Sequence, residues 1–126
     1  MLAEEVRQHL LNRPEAWEDY PFGDDVAVFK IGKKMFATLG FEAGVARMNL
    51  KCAPEEALFL RDMFEAIRPG YHMNKNHWNT VLLDGSIPRS ELERMMDVSF
   101  TLVVRSMSRA ERQHLILTHG EAAIYR

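Results

Sequence analysis

Ten residues, 69–78 (PGYHMNKNHW), concentrate side chains able to recognise an anion or a base: two histidines, two asparagines, a lysine and two aromatics behind a Pro-Gly turn. A core strand does not need that density of polar groups. On a hairpin, Tyr71 and Met73 point to one face and His72 and Asn74 to the other, because successive strand side chains alternate. Lys75, His77 and Trp78 then form a positive, stacking-capable patch suited to phosphate or a base. Arg47, Asn49 and Lys51 share one face of a second alternating segment and extend the patch if that strand lies alongside. The same ten residues also fit an Asn-rich turn followed by a core-anchored Trp, and the sequence leaves both readings open.

Other chemistry is hard to find. No phosphate-binding G-x-x-x-x-G-K-[ST] loop, dinucleotide G-x-G-x-x-G, nucleophile elbow or H-E-x-x-H is present. His72 and His77 are five apart, as are His114 and His119, but neither pair has cysteine or acidic company to complete a set of three or four ligands. They are expected to be structural or solvated. The acids Glu15, Glu18, Asp19, Asp24 and Asp25 lack the D-x-[DN]-x-[DN]-G spacing of a calcium loop and read as a charged surface. Cys52, the single cysteine, precedes a helix, where the dipole and Lys51 favour thiolate. As a small apolar filler it would be inert. Lys75 or His77 acting as a general base would need an orienting partner and a dry pocket, and the sequence shows neither. No catalytic residue, cofactor or metal is expected.

These residues must be positioned by a small set of elements. Residues 2–11 place Leu2, Val6, Leu10 and Leu11 on one helical stripe that Pro14 terminates. Residues 26–31 and 35–39 are β-type runs around Gly32-Lys33-Lys34, a hairpin turn with glycine supplying positive φ. After a break over 40–44, residues 45–51 alternate cleanly, with Ala46, Met48 and Leu50 on one face. Pro54-Glu55-Glu56 opens a helix whose apolar face is Leu58, Leu60, Met63, Phe64 and Ile67. Two short strands follow, at 71–73 and 77–83. A long helix then starts at Pro88 or at the Ser90…Glu93 capping pattern, with Leu92, Met96, Phe100 and Val103 as its core stripe. Residues 107–116 extend it or form a further helix, and 118–126 read as a loosely held tail. Hairpin-length connections in this order predict an α+β fold, an antiparallel sheet with helices on one face.

At 126 residues the chain has room for one domain. Sixteen Lys+Arg against eighteen Asp+Glu give a formal net charge of −2, so a polyanion could be attracted only by a local patch. Charged residues interrupt the first eleven positions where a signal peptide would be apolar, and no apolar run reaches membrane-spanning length. A cytoplasmic, membrane-free protein is expected, with no indication of its oligomeric state.

Four collinear blocks, 21–39 (PFGDDVAVFKIGKKMFATL), 48–57 (MNLKCAPEEA), 69–78 (PGYHMNKNHW) and 87–100 (IPRSELERMMDVSF), resemble the MmcQ/YjbR family of small bacterial proteins. The resemblance covers residues 1–107 as a single domain and leaves 108–126 as a C-terminal extension. It implies a CyaY-like (frataxin-like) sandwich and DNA binding through a double wing. Carried onto this chain, the wings are the tips around Gly32-Lys33-Lys34 and Asn74-Lys75-Asn76. Lys30, Lys33 and Lys34 would reach phosphates, and Asn74, Lys75, Asn76 and His77 would contact phosphate or base edges. Ala53 departs from the family, which often carries Asp at that helix N-cap. Frataxin's iron handling does not carry over, since the first helix holds only Glu4 and Glu5 as acids. The leading expectation is a non-enzymatic DNA-binding protein whose affinity falls steeply with salt. The alternatives are a binder of a small anionic or phosphorylated ligand at Lys51, Tyr71, Asn74, Lys75, His77 and Trp78, or a protein-interaction adaptor.

Overall fold

Two-residue turns fold the first half of the chain into hairpins. In the computed structural model, which describes residues 1–125, helix α1 (Ala3–Leu11) leads into β1 (Ala16–Asp19), β2 (Ala27–Ile31), β3 (Lys34–Glu42) and β4 (Val45–Lys51). Gly32-Lys33 makes the β2–β3 turn, with Gly32 at φ +58° as its spacing predicts. Helix α2 (Pro54–Met63), β5 (Ile67–Pro69), β6 (Trp78–Leu82), α3 (Arg89–Arg105), α4 (Arg109–His119) and α5 (Glu121–Ile124) complete the chain. The six strands form one antiparallel sheet in the order β1-β2-β3-β4-β6-β5. The fold is α+β, with helices packed against one face of that sheet.

Alternation along β4 decides which face is covered. Ala46, Met48 and Leu50 are buried toward the helices, while Arg47, Asn49 and Lys51 point to the other, open face. Helix α3 lays Leu92, Met96, Phe100 and Val103 on the sheet, all buried as the 3.6-residue spacing requires. Phe36 meets Phe100 edge-to-face at 5.2 Å. Phe29 pairs with Ala37 but Lys30 with Met35, so Phe36 is the extra residue of a bulge that turns its ring inward. Ser99 on α3 secures this irregularity. Its Oγ donates to the Phe36 carbonyl at 2.5 Å and accepts the Lys51 N–H at 2.8 Å.

Several sequence expectations are corrected. β1 has no counterpart among the expected elements: it is a short edge strand whose side chains are at most partly buried, so it lacks a core-facing apolar pattern. β3 continues to Glu42, and the break shrinks to Ala43-Gly44, both at positive φ. Residues 71–73 are loop, and β5 lies earlier at Ile67–Pro69, pairing with β6. On α2 only Ala57 and Leu60 are buried, whereas Leu58, Phe59 and Met63 face outward. Helix α3 starts after Pro88, so Ser90 and Glu93 do not form its cap; Ser108 and Glu111 make a capping box for α4 instead. The tail is anchored as far as Tyr125, with Ile124 fully buried and the Arg105 guanidinium 4.7 Å from the Tyr125 ring, while residue 126 lies outside the described residues. Among the described residues no helix is long and apolar enough to cross a membrane.

Candidate functional site

The open face carries a row of polar side chains one strand apart. Register places Thr38 opposite Asn49 and Asn49 opposite Thr80. The Tyr71 backbone N–H donates to Thr80 Oγ1 (2.9 Å), Thr80 Oγ1 donates to Asn49 Oδ1 (2.5 Å), and Asn49 Nδ2 donates to Thr38 Oγ1 (3.1 Å). The row ties the start of the 70–77 loop to the middle of the sheet.

Beside this row lies a cavity of about 450 Å³. Its floor is Thr38, Gly40, Arg47 and Asn49; Phe22, Val26 and Met35 line one side and Tyr71, His72 and Met73 the other, with Phe41 at the rim. Gly40 allows the 20–26 loop to close down, since a Cβ there would sit 3.3 Å from the Asp25 carbonyl. On the opposite wall the Arg47 guanidinium stacks on Tyr71 with 4.5 Å to the ring centroid, and Tyr71 meets His72 with centroids 4.0 Å apart. Arg47 Nη1 also donates to Glu42 at 2.8 Å. His72 holds φ +59°, a left-handed conformation that non-glycine residues adopt at a cost.

Arg61, which the sequence reading did not single out, fixes the base of the 70–77 loop. Its guanidinium donates from Nε to Asn79 Oδ1 (2.7 Å) and from Nη2 to the carbonyls of Lys75 and Trp78. Gly70 is required where the loop crosses itself, because a Cβ there would lie 2.8 Å from Trp78 Cβ. Lys75 Nζ donates to the Gly70 carbonyl (3.1 Å), and Asn74 Oδ1 accepts the Asn76 N–H (2.9 Å) in an Asx turn.

The sequence-predicted residues therefore separate into four places. Arg47, Asn49 and Tyr71 converge on the cavity. Lys51 sits on the same strand face opposite Trp78, beyond the cavity lining. Asn74, Lys75, Asn76 and His77 form the exposed loop tip. At the other tip Lys33 is exposed, while Lys34 Nζ donates to the Ser106 carbonyl (3.0 Å) and Oγ (3.2 Å), capping the C-terminal end of α3. Lys30 is paired with Asp19 at 2.8 Å and lies over Trp17. Glu111 stands close enough to this tip that its carboxyl is held below the usual range, first by Ser108 hydrogen bonds and then by Lys34 and Lys33.

Two further groups are settled by their surroundings. Cys52 is buried, and burial followed by the Glu56 charge pushes its thiol up to about 11, which makes it inert rather than nucleophilic. His114 and His119 both meet Glu15 Oε2, at 3.1 and 2.7 Å, and tie α4 to the start of β1. Among the described residues no group of three or more metal-ligating side chains is arranged to hold an ion.

Residues 11–102 match the family model described as YjbR. The Escherichia coli O157:H7 protein YbdF is 33% identical over 114 residues, covering 90% of this chain and 93% of its own. The Escherichia coli K12 protein YjbR is 30% identical, covering 92% and 98%. Among solved structures, the Deinococcus radiodurans protein DR2400, with domain DUF419, superposes with a TM-score of 0.82 at 35% identity over 89% of this chain and 86% of that one. A Pseudomonas syringae protein superposes with a TM-score of 0.71 at 31% identity, over 81% and 98%.

Proposed function

The chain belongs to the YjbR family, and we propose that within it this protein is a binding protein that takes a small anionic molecule on the open face of its sheet. The observation that carries this reading is the convergence of Arg47, Asn49 and Thr38 on the floor of one concave, largely apolar cavity. Concavity with a few directed polar groups is what small-ligand sites have in common. The test is thermal unfolding with acetate, octanoate, inorganic phosphate and a sugar phosphate, in the wild type and in Arg47→Met. A binding anion raises the wild-type melting temperature and leaves the variant's unchanged. Failure of every anion to raise it overturns the reading.

Duplex DNA held by the two tips is a second reading, favoured by their placement. β3 and β6 flank β4 and run in the same direction, so the Gly32-Lys33 turn and the 70–77 loop project from the same end of the sheet. Roughly three strand spacings, about 14 Å, separate them, comparable with a major groove about 12 Å wide. Against it, Lys34 is engaged at Ser106 and Glu111 offsets the charge of the first tip. Replacing Lys34 along with Lys33 and Lys75 would also disturb the α3 cap, so the sharper variant is Lys33→Glu with Lys75→Glu. Saturable, salt-sensitive duplex binding by fluorescence anisotropy, lost in that double variant, would establish the second reading. No binding at low salt removes it.

A further inference from the structure

We propose that the open-face cavity takes an apolar monocarboxylate, its head group on Arg47, Asn49 and Thr38 and its body between the Phe22 and Met73 walls. The inference rests on the small-anion reading and names its ligand class. The polarity of the floor sets the head group. Along the row, Thr80 Oγ1, Asn49 Oδ1 and Thr38 Oγ1 each already accept a hydrogen bond. Besides spare lone pairs on these oxygens, the row leaves two protons uncommitted, the Thr38 hydroxyl and the second N–H of Asn49. Arg47 adds guanidinium N–H groups beyond the one given to Glu42. It is the guanidinium, with these two donors beside it, that favours an acceptor-only anionic group, and an ionised carboxylate is one.

The charge balance separates carboxylate from phosphate. Among the described residues lining the cavity, Arg47 carries the one permanent positive charge, and Glu42 already shares it at 2.8 Å. A phosphate monoester near −2 at neutral pH would enter further under-neutralised, at a larger desolvation cost than a monoanion. The walls decide the body. Met35, Met73, Val26 and the exposed Phe22 offer adaptable apolar surface. The Tyr71 ring already stacks with Arg47 and meets His72, so a nucleobase would have to compete with them for it. The geometry thus favours an alkyl or arylalkyl acid over a nucleotide or sugar phosphate.

Isothermal titration calorimetry at pH 7.5 with octanoate, octyl phosphate and octanamide tests this, since the three share a chain and differ in head group. Octanoate is expected to bind at least about tenfold more tightly than either analogue, and Arg47→Met to weaken it by about tenfold or more. Thr38→Val supplies an independent variant that keeps the charge and removes one donor; it too is expected to weaken octanoate. Tighter binding of octyl phosphate overturns the monocarboxylate assignment while leaving the small-anion site standing. Equal binding of octanamide overturns both. Failure of octanoate to bind, while another anion raises the melting temperature only when Arg47 is present, overturns this inference alone.

Discussion

The Arg47 guanidinium carbon stands 4.5 Å from the centroid of the Tyr71 ring, so a residue of the central strand and a residue of the 70–77 loop hold each other across the cavity wall. Arg47→Met keeps the apolar stem and removes both the stacking and the charge. Stability is expected to fall by about 0.5–1 kcal/mol, read as a lower urea midpoint, and ligand affinity to fall much further. Arg47→Lys keeps the charge but not the planar stack, so its affinity should lie between the two.

Gly70→Ala is expected to displace the loop that carries Tyr71. The added Cβ would meet Trp78 Cβ at 2.8 Å and the Trp78 carbonyl at 2.9 Å, neither of which can swing away. A cost of roughly 1–3 kcal/mol follows from overpacking of this kind. Urea unfolding gives the magnitude, and amide shifts at Tyr71 and His72 in a ¹H–¹⁵N spectrum show whether the loop has moved.

Ser99→Ala removes the group that satisfies both the Phe36 carbonyl and the Lys51 N–H beneath α3. Leaving those backbone groups unpaired in a buried place is expected to cost about 1–3 kcal/mol. Hydrogen exchange at Lys51 should accelerate selectively. A loss confined to a few tenths of a kcal/mol would show that the bulge is held by packing alone.

Acid should weaken the protein through carboxylates held below their ordinary range. Glu18 is the clearest: hydrogen bonds from Arg7 at 2.7 and 2.9 Å lower its carboxyl, with Tyr20 adding a third. A depressed folded-state pKa contributes stability that is present above the unfolded value and is lost as pH falls through the folded one. Glu18→Gln should therefore be less stable than wild type at pH 7, with the difference closing below about pH 4.5, the ordinary glutamate value. Urea midpoints measured from pH 7 to pH 3 check the sign.

Local patterning made most of the fold legible. The alternation of residues 45–51, the Gly32-Lys33 turn and the Leu92–Met96–Phe100–Val103 stripe each follow from one short-range period. β1 was hidden because an edge strand with acids at Glu18 and Asp19 has no core pattern to betray it. Residues 107–116 carry a helical pattern that leaves open whether they extend α3 or stand apart as α4, and α5 is hidden because burial of Ile124 is decided by what lies opposite it. The site was half legible for the same reason. Arg47 and Asn49 share a strand face by spacing alone, and Tyr71 stood out by composition. That Thr38 and Thr80 complete their row depends on strand register, and that Phe22 and Met35 wall the cavity depends on how loops fold back. Lys34 looked like a free turn residue only because Ser106, its partner, lies 72 positions away.

The most direct test of the small-anion account is a ¹H–¹⁵N titration of the intact protein with octanoate at physiological salt. The account predicts saturable shifts centred on the amides of Thr38, Arg47, Asn49, Tyr71 and His72 and on the Asn49 side-chain amide, with the loop tip at residues 74–77 unmoved. Shifts confined to that tip and to Lys33, or no saturable change at all, would contradict it.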